Sequence, residues 1–352
     1  MSTVVHIVGT GTIGEPLIGL FADFGLGAEE VTFHKRTPLV SDRAKLEHLM
    51  TRGAKLAVDD DVRADFEALG HTVTYEAREA LERASVVIDC TPAGNVHKQR
   101  SYQSLSGPTG FLAQGSEFGF GKPYARGINE EVFDGAEDRF IQVVSCNTHN
   151  MVTLIKTLTS DDDGGFDLER ANFVCIRRAN DISQSDKFIP SPNVGAHDDP
   201  EFGTHHARDA HYVFDTLGED FDLFSSAVKV NTQYMHSIWF NIRLNRDVTL
   251  DEVKERFHAN PRVAMTEKRD ANLIFSFGRD HGYYGRILSQ TVIAEPTLTV
   301  RRRREVYGFC FTPQDGNSLL SSIAAALWRL DPDWERVSEK LSPLRRWLYQ
   351  EI

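Results

Sequence analysis

The sequence predicts an α/β protein in which a doubly wound parallel sheet domain precedes a domain of the α+β type. Short apolar strands alternate with helical stretches through residues 1–145, as expected when helices cover both faces of a parallel sheet. Beyond residue 145, strand-like stretches follow one another with few helices between them, which favours a mainly antiparallel sheet. A chain of 352 residues also exceeds one ordinary core, so two domains are expected.

The elements of the first domain follow from apolar runs and the residues that interrupt them. Val4–Val8 is a short apolar strand, a glycine-rich turn follows it, and the next helix ends near Gly25. We expect further strands at Val31–Phe33, Thr72–Tyr75, Val86–Cys90, Gly110–Gln114 and Phe140–Ser145. We expect helices at Ile13–Phe24, Arg43–Thr51 and Arg63–Leu69.

The second domain is expected to contain strands that often alternate between apolar and polar residues, and a long polar loop, Asp181–Pro200, follows the first of them. The strands are Asn172–Arg177, Ala227–Val230, Ser237–Leu244, Leu298–Arg304 and Tyr307–Phe311, with helices at Leu250–His258 and Asp270–Arg279. The amphipathic helices Ser318–Leu330 and Trp334–Tyr349 should pack back on the first domain. We therefore expect a first domain of residues 1–145 completed by 313–352, and a second domain of residues 146–312.

Composition and charge restrict the classes of function. A hydrophobic content of 41% and a net charge of −12 predict a globular protein without a nucleic-acid partner. No apolar run approaches the ~18 residues of a membrane helix, and the first residues lack the pattern of a secretory signal. The four cysteines form no close pair, which excludes the usual zinc sites and disulfide frameworks. We expect a cytoplasmic protein with no membrane contact.

The segment Gly9-Thr10-Gly11-Thr12-Ile13-Gly14 joins the first strand to the first helix. In this pattern Gly9 permits a tight turn, Gly11 lets a pyrophosphate approach the backbone, and Gly14 allows the helix and strand to pack closely. A plain strand-to-helix turn is the alternative. The position after an N-terminal strand favours a Rossmann-type dinucleotide site.

The end of the second strand indicates which dinucleotide is bound. A carboxylate at this point usually binds the ribose hydroxyls of NAD, whereas the 2′-phosphate of NADP needs cations. Here the residues are Lys35, Arg36 and Thr37, with no carboxylate among them. They favour NADP, with NAD still possible, and an exposed basic turn is the alternative.

Cys146 differs from the other cysteines because it ends an apolar strand beside polar residues, in Val143–Thr148. A helix expected at Met151–Leu158 would lower the pKa of its thiol through the helix dipole. A buried structural cysteine is the alternative. His236, which begins a strand, is a candidate for the base, although such a histidine is often only a surface residue. The two lie far apart in the sequence, so only the fold can bring their side chains together.

The residues nearest to a metal-binding pattern are His205, His206, Asp209 and His211. Their spacing fits no standard zinc pattern, so no metal is expected.

These residues together resemble the archaeal-type (class II) glyceraldehyde-3-phosphate dehydrogenases, from residue 3 to about residue 328. The most specific shared string is Val143-Val144-Ser145-Cys146-Asn147-Thr148. The other segments, in family order, are residues 9–14, Lys35–Pro38, Asp89–Pro92, Gln114–Glu117, Arg177–Ala179, Thr204–His206 and Met235–His236.

The resemblance implies roles residue by residue. Cys146 would be the nucleophile and His236 the base that activates it. The dinucleotide would be contacted by Thr12, Ile13, Lys35, Arg36, Thr37, Ser116, Arg178 and Gln314. The substrate and phosphate site would contain Ser145, Asn147, Thr148, His205 and His206. A phosphorylated aldehyde, inorganic phosphate and a homotetramer are implied as partners.

The chain departs from the family around the expected substrate and nicotinamide. The family's Cys-Asn-Thr-Thr-Gly is replaced by residues 146–150, which end in His149-Asn150. Ser116 replaces a glycine, Ile238 replaces a second histidine, and residues 313–316 replace His-Gln-Glu-Ser. The aldehyde can therefore differ from glyceraldehyde 3-phosphate.

The expected function is an NAD(P)-dependent phosphorylating aldehyde dehydrogenase that works through a thiohemiacetal and a thioester on Cys146. A related semialdehyde dehydrogenase or acyl-phosphate reductase would share every catalytic residue. A catalytically silent dinucleotide-binding relative is the other alternative, and a binding protein has no need for Cys146 and His236 together.

Overall fold

The computed structural model describes residues 2–115, 117–161, 164–180, 188–313 and 315–352. By contacts, the chain divides into two compact units. The first unit contains residues 1–122, 133–143 and 321–343, and the second contains residues 123–132, 144–320 and 344–352. This division differs from the expected one at residues 123–132, 144–145, 313–320 and 344–352.

The first unit is built on a parallel sheet. Its strands are β1 (Val4–Val8), β2 (Glu30–His34), β3 (Lys55–Val58), β4 (Val73–Glu76), β5 (Val86–Asp89), β6 (Gly110–Gln114) and β8 (Phe140–Val143); a short strand, β7 (Lys122–Tyr124), precedes the last. The order is β4-β3-β2-β1-β5-β6-β8, and every pair along it is parallel. β1, β5 and β6 are buried along their whole length, as expected of central strands covered on both faces.

Helices connect these strands. They are α1 (Gly14–Phe24), α2 (Arg43–Thr51), α3 (Arg63–Ala68), α4 (Ala77–Arg83) and α5 (Gly94–Arg100). The C-terminal part of the first unit adds the end of α10 (Gly316–Leu330) and α11 (Trp334–Lys340). There Trp328 stacks on Trp334 with ring centroids 5.4 Å apart, and Phe133 meets both rings edge-on.

The second unit contains a mixed sheet that is mainly antiparallel. Its strands are β9 (Leu168–Arg177), β10 (Asn193–Val194), β11 (Leu223–Lys229), β12 (His236–Leu244), β13 (Val263–Thr266), β14 (Thr291–Ala294), β15 (Thr299–Arg301) and β16 (Glu305–Thr312). The order is β10-β11-β9-β12-β16-β14-β13, with β15 also paired to β16. Among the strands that the structure describes in this sheet, β9–β11 and β13–β14 are the parallel pairs. The predicted fold class, a doubly wound α/β domain with a mainly antiparallel α+β domain, is confirmed.

The helices of the second unit are α6 (Cys146–Thr159), α7 (His205–Asp215), α8 (Leu250–Ala259) and α9 (Ala271–His281). α6 is buried along most of its length. Its apolar residues share one core with the inward side chains of β9, β12 and β16 and with α7. This packing holds the first turn of α6 against the ends of the strands.

One predicted helix is wrong in its extent. The sequence predicts a continuous helix over Trp334–Tyr349, but α11 ends at Lys340 and a separate 3₁₀ turn occupies Ser342–Trp347. Pro343 lacks a backbone N–H and disfavours helical geometry in the residue before it, so the helix stops.

One predicted strand is also too long. β15 ends at Arg301 rather than at Arg304, because Arg302 and Arg303 have φ values of +48° and +64° in the turn to β16. Residues with positive φ cannot continue a strand.

Candidate functional site

The glycine loop has the geometry that a dinucleotide phosphate requires. Gly9 has a φ of +95°, and a Cβ on Gly14 would lie 2.0 Å from the carbonyl oxygen of Gly9. A Cβ on Gly11 would meet no atom within 4 Å, so the space above this residue is open. Ile13 precedes α1 and gives its first N–H groups no side-chain cap. An N-terminus of this kind suits a pyrophosphate, so the residues present fit a nicotinamide dinucleotide.

A buried carboxylate fixes the turn beside this loop. Asp89, at the end of β5, accepts hydrogen bonds from the backbone N–H and hydroxyl of Thr91 at 2.9 and 2.7 Å. Its other oxygen bonds His97 at 2.6 Å and the hydroxyl of Tyr102 at 2.8 Å. The methyl group of Thr91 would lie 3.1 Å from a Cβ on Gly9. Asp89 therefore supports the glycine loop from the neighbouring strand.

The predicted 2′-phosphate residues follow β2, and they are not equally available. Lys35 forms an ion pair with Asp42 at 2.9 Å, and Lys45 binds the other oxygen of the same carboxylate at 3.0 Å. Burial would raise the pKa of Asp42, but the hydrogen bonds from both lysines outweigh it and lower that pKa. Arg36 and Thr37 are exposed. Sequence reasoning missed Asp42, which offsets the charge of Lys35.

Three more predicted cofactor residues belong elsewhere in the chain. Ser116 and Gln314 lie outside the described residues. Arg178 is buried in the second unit, where its guanidinium lies 3.4 Å from Asp315.

Cys146 is the first residue of α6. Ser145 caps the helix, its hydroxyl accepting a hydrogen bond from the N–H of Thr148. The carbonyl oxygen of Cys146 accepts a hydrogen bond from the amide of the buried Asn317 at 2.9 Å. Cys146 is only partly buried, whereas Cys175 and Cys310 are buried. The start of a helix is a position at which thiols are activated.

The strand register links Cys146 to His236. His236 begins β12 and pairs with Thr312 at the end of β16. The hydroxyl of Thr312 donates to the side-chain oxygen of Asn147 at 3.1 Å, and Asn147 directly follows Cys146. Cys146 and His236 are therefore connected through Asn147 and Thr312.

The imidazole of His236 is held in a defined state. Its Nδ1 accepts a hydrogen bond from the backbone N–H of Arg178 at 3.0 Å. A nitrogen that accepts a hydrogen bond cannot carry a proton itself, so Nδ1 is unprotonated. The neutral ring therefore carries its proton on Nε2. Burial first, and then the charges of Arg178, Arg177 and Lys229, place the pKa of His236 well below its usual value. This tautomer offers an N–H at Nε2, and the role of a base for His236, which the resemblance implies, stays a prediction.

A polar cavity of about 440 Å³ opens at the N-terminus of α7. Arg177, His205, His206 and Arg208 line it, together with Thr204, whose hydroxyl caps the helix. The loop before α7 contributes Gly195, Ala196, Asp198, Asp199 and Gly203 to the lining, and β11 contributes Ala227. Cations and a helix N-terminus converge here, which suits an anion.

Two nitrogens of residues that line this cavity have no hydrogen-bond partner among the described residues. Nε2 of His206 and Nε of Arg177 are buried without a hydrogen bond. Burial first, and then the charges of Arg177 and Arg208, lower the pKa of His205 to about 4. Burial together with His205, Arg177 and His236 also places the pKa of His206 well below its usual value. Both histidines are neutral donors at neutral pH.

Ser145 connects this cavity to the nucleophile. Its hydroxyl lies 2.9 Å from that of Thr148 and 3.4 Å from Nδ1 of His206. The hydroxyl of Thr148 in turn reaches the carbonyl oxygen of His206 at 3.5 Å. The structure thus brings together Ser145, Cys146, Thr148, His205 and His206 in one unit.

The comparisons with known proteins agree with this geometry. The family described as "Glyceraldehyde 3-phosphate dehydrogenase, C-terminal domain" matches residues 145–281. A glyceraldehyde-3-phosphate dehydrogenase of Aeropyrum pernix is 30% identical, covering 78% of this chain and 76% of its own. A glyceraldehyde-3-phosphate dehydrogenase of Methanobacterium formicicum is 28% identical, and the match covers 76% of this chain and 75% of that protein. The chain belongs to the archaeal-type glyceraldehyde-3-phosphate dehydrogenase family.

Membership of this family confirms the resemblance seen in the sequence. Glyceraldehyde-3-phosphate dehydrogenase-like proteins are oxidoreductases that act on aldehydes with a nicotinamide dinucleotide, and this chain is one of them. At 30% identity or below it is a divergent member.

The described residues contain neither a membrane-spanning helix nor a group of metal ligands. No helix there is both long and apolar enough to cross a bilayer. No three histidine, cysteine or carboxylate side chains are arranged to hold a metal ion. Asp209 instead pairs with Arg208 at 2.9 Å, and His211 lies 3.3 Å from the carbonyl oxygen of Phe221.

Sequence reasoning missed the helix that organises the anion cavity of this family member. Thr204 is an N-cap residue, and Ala207, Ala210, Val213 and Phe214 follow with helical spacing; all four are buried. This signal could have predicted α7. It would also have placed Arg208 beside the two histidines.

Proposed function

We propose that this chain oxidises a small phosphorylated aldehyde, with NADP and inorganic phosphate, through a covalent intermediate on Cys146. The observation that carries the proposal is the contact between Ser145 and His206, 3.4 Å apart, because it sets the nucleophile beside the anion cavity. A substrate phosphate held in that cavity would place an aldehyde near the first turn of α6.

The proposed chemistry begins when Cys146, as a thiolate whose proton has gone to solvent, attacks the aldehyde carbon. The π pair of the carbonyl moves onto its oxygen and leaves the anion of a thiohemiacetal. Loss of a hydride from that carbon, for which a bound nicotinamide would be the acceptor, restores the C=O bond. The thioester left on Cys146 is then attacked by inorganic phosphate, which releases an acyl phosphate and the free thiolate. Arg177, His205 and His206 would hold phosphate groups by charge-assisted and neutral hydrogen bonds.

His236 has a specific part in this proposal. With Nδ1 bonded to Arg178, it presents Nε2–H to the carbonyl oxygen and stabilises the charge that forms there. Action as a base at Nε2 would require the proton to move to Nδ1 and the bond from Arg178 to break. His149, three residues after Cys146, is the next candidate for a base. It is fully buried, and burial lowers its pKa to about 4 although its ring donates to backbone carbonyl groups of Ser145 and Val144, which opposes that shift.

NADP remains the proposed cofactor because Arg36 and Thr37 are exposed after β2, the strand that pairs with β1, and Lys35 precedes them. Asp42 works against this preference by pairing with Lys35. NAD is therefore a possible second cofactor.

We also propose that the protein is a homotetramer and that it works in the cytoplasm. Val174, Trp239 and Phe309 form one row across β9, β12 and β16, and Phe309 is 39% exposed. Apolar rows on an outer sheet face often bind another subunit. A second copy of this chain is the proposed occupant. None of the cysteines in the described part of the chain forms a disulfide, which fits a reducing compartment.

A semialdehyde dehydrogenase or acyl-phosphate reductase acting on another acid is the second candidate. His149 and Asn150, which differ from the family pattern, lie within α6 close to the nucleophile and favour it. It would use the same Cys146 chemistry.

One assay separates the candidates. Initial rates with NADP and NAD would be measured on glyceraldehyde 3-phosphate, unphosphorylated glyceraldehyde and aspartate semialdehyde, each with and without inorganic phosphate. We expect the phosphorylated aldehyde to give the highest kcat/KM and to require phosphate. Preference for an unphosphorylated aldehyde would contradict the role of the anion cavity, and absence of turnover on every aldehyde would favour a binding protein.

A further inference from the structure

A buried hydrogen-bond chain ends beside the nucleophile. Sγ of Cys310 lies 3.3 Å from Oδ1 of Asn150, and Nδ2 of Asn150 donates to the hydroxyl of Thr312 at 3.0 Å. That hydroxyl donates to Oδ1 of Asn147 at 3.1 Å. All four side chains are at most 2% exposed. Asn150 is one of the residues at which the sequence departs from its family.

The direction of the chain follows from its first member. Burial raises the pKa of the Cys310 thiol to about 12, so this group keeps its proton at neutral pH. Oδ1 of Asn150 at 3.3 Å is nearer to its sulfur than the carbonyl oxygen of Ile238 at 3.7 Å, so the thiol donates to Asn150. The carboxamide of Asn150 then turns its NH₂ group to Thr312. A hydroxyl that accepts one hydrogen bond has its own proton left to donate, and Thr312 donates it to the oxygen of Asn147.

The carboxamide of Asn147 is thereby oriented. Its oxygen faces Thr312, so its NH₂ group points away, and Nδ2 has no partner in the described part of the chain. Thr312 pairs with His236 in the sheet, and Nε2 of His236 likewise has no hydrogen-bond partner among the described residues. Both nitrogens are donors.

We infer that the Cys310–Asn150–Thr312 chain positions the Asn147 carboxamide to donate to the carbonyl oxygen of an aldehyde at Cys146. The inference rests on the proposed chemistry. As the S–C bond forms, the π pair of the carbonyl moves onto its oxygen, and an N–H already aimed there stabilises the charge. The same charge forms when phosphate attacks the thioester. Asn150 and Thr312 are positioning residues, because they act only through Asn147.

The test compares Thr312→Val, which removes the hydroxyl at nearly constant volume, with the matched control Thr312→Ser, which keeps it. The rate of the first NADPH burst would be measured in single turnover with the phosphorylated aldehyde. Removing an oxyanion donor lowers the rate by a factor of about 10²–10³. In Thr312→Val the donor is present but misoriented, so we expect the burst rate to fall by at least about tenfold. Thr312→Ser should retain the wild-type burst rate, and KM should change little in either variant.

Alkylation of Cys146 by iodoacetamide provides a second measurement. This reaction displaces iodide and forms no oxyanion, so Thr312→Val should leave its rate unchanged. The inference would be overturned if Thr312→Val had the same burst rate as Thr312→Ser. It would also be overturned if the alkylation rate of Thr312→Val fell in proportion to its burst rate.

Asn150→Asp keeps the inference testable if Thr312→Val does not fold. A carboxylate can accept from both Cys310 and Thr312, so the Thr312 hydroxyl would turn and accept from the NH₂ group of Asn147. The oxygen of Asn147 would then face the substrate, and the burst should slow although every hydrogen bond is retained. A folded Asn150→Asp protein with a wild-type burst would contradict the inference. Failure of the proposed function is a different result, turnover retained in Cys146→Ser.

Discussion

The backbone N–H of Arg178 donates to Nδ1 of His236 across 3.0 Å, and this bond determines what the histidine can do. The ring is 8% exposed, and its neutral form carries the proton on Nε2. A residue that the sequence marks as a base is therefore arranged as a hydrogen-bond donor.

The pH dependence of the reaction tests this arrangement. Because the pKa of His236 is lowered well below 6.5, the ring is neutral at pH 7 and becomes charged only when the pH falls through that lowered pKa. We expect His236 to contribute no ionisation near pH 6.5, so the kcat/KM profiles of the wild type and of His236→Gln should have the same shape there. His236→Gln, which can place an amide N–H near the position of Nε2, should keep more activity than His236→Asn. A limb near pH 6.5 that disappears in His236→Gln would instead identify His236 as the base.

Cys146 should form the covalent intermediate. Cys146→Ser should abolish turnover and leave cofactor affinity near that of the wild type, because the glycine loop is untouched. The matched control is Cys175→Ala, which removes a fully buried thiol of the same unit and should retain turnover. Peptide mass spectrometry after one equivalent of iodoacetamide should find Cys146 modified, since burial raises the pKa of both Cys175 and Cys310. Turnover in a clean Cys146→Ala preparation would contradict this mechanism.

Cofactor preference should respond to Asp42. Asp42→Asn removes the carboxylate that pairs with Lys35, so NADP should bind more tightly while NAD binding changes little. Lys35→Ala with Arg36→Ala should weaken NADP, because each charge-assisted contact is worth roughly 1.5–3 kcal/mol, about tenfold or more in affinity. Direct titration measures both effects. Asp65→Asn, in exposed α3, is the control, and a wild type that prefers NAD would contradict the assignment.

The anion cavity should determine recognition of the substrate phosphate. Arg177→Gln removes a cation that lines the cavity and should raise KM for the phosphorylated aldehyde by about tenfold, the loss of one charge-assisted contact. Kcat/KM for an unphosphorylated aldehyde should remain unchanged. Arg170→Gln, on an exposed position of the same strand, should have neither effect. Equal loss on both aldehydes would show that Arg177 does not act on the phosphate.

The outer row of the second sheet should hold the oligomer together. Trp239→Glu introduces a charge between Val174 and Phe309 and should dissociate the tetramer, because a charge buried at an interface is costly. Light scattering after size exclusion measures the mass. Leu273→Glu changes a residue that is 48% exposed on α9 and should leave the assembly intact. A wild type that is already monomeric would contradict the proposal.

Local patterns in the sequence determined the fold class and the family. Alternating strands and helices predict the parallel sheet, because each apolar run must be covered on both faces. The glycine turn and the string around Cys146 are local as well, since a tight turn and a strand-to-helix junction need particular residues at consecutive positions. These features could be read without knowing any distant contact.

Only the tertiary structure decided how the site works. The bond from Arg178 to His236, the pairing of His236 with Thr312 and the path from Thr312 to Asn147 join residues distant in sequence. Strand register creates these contacts, and no local pattern specifies which side chains then face each other. The same holds for Asp42, which limits the charge of Lys35. Residue identity thus predicts Cys146 as the nucleophile, whereas hydrogen-bond direction, which depends on long-range packing, determines the state of the groups around it.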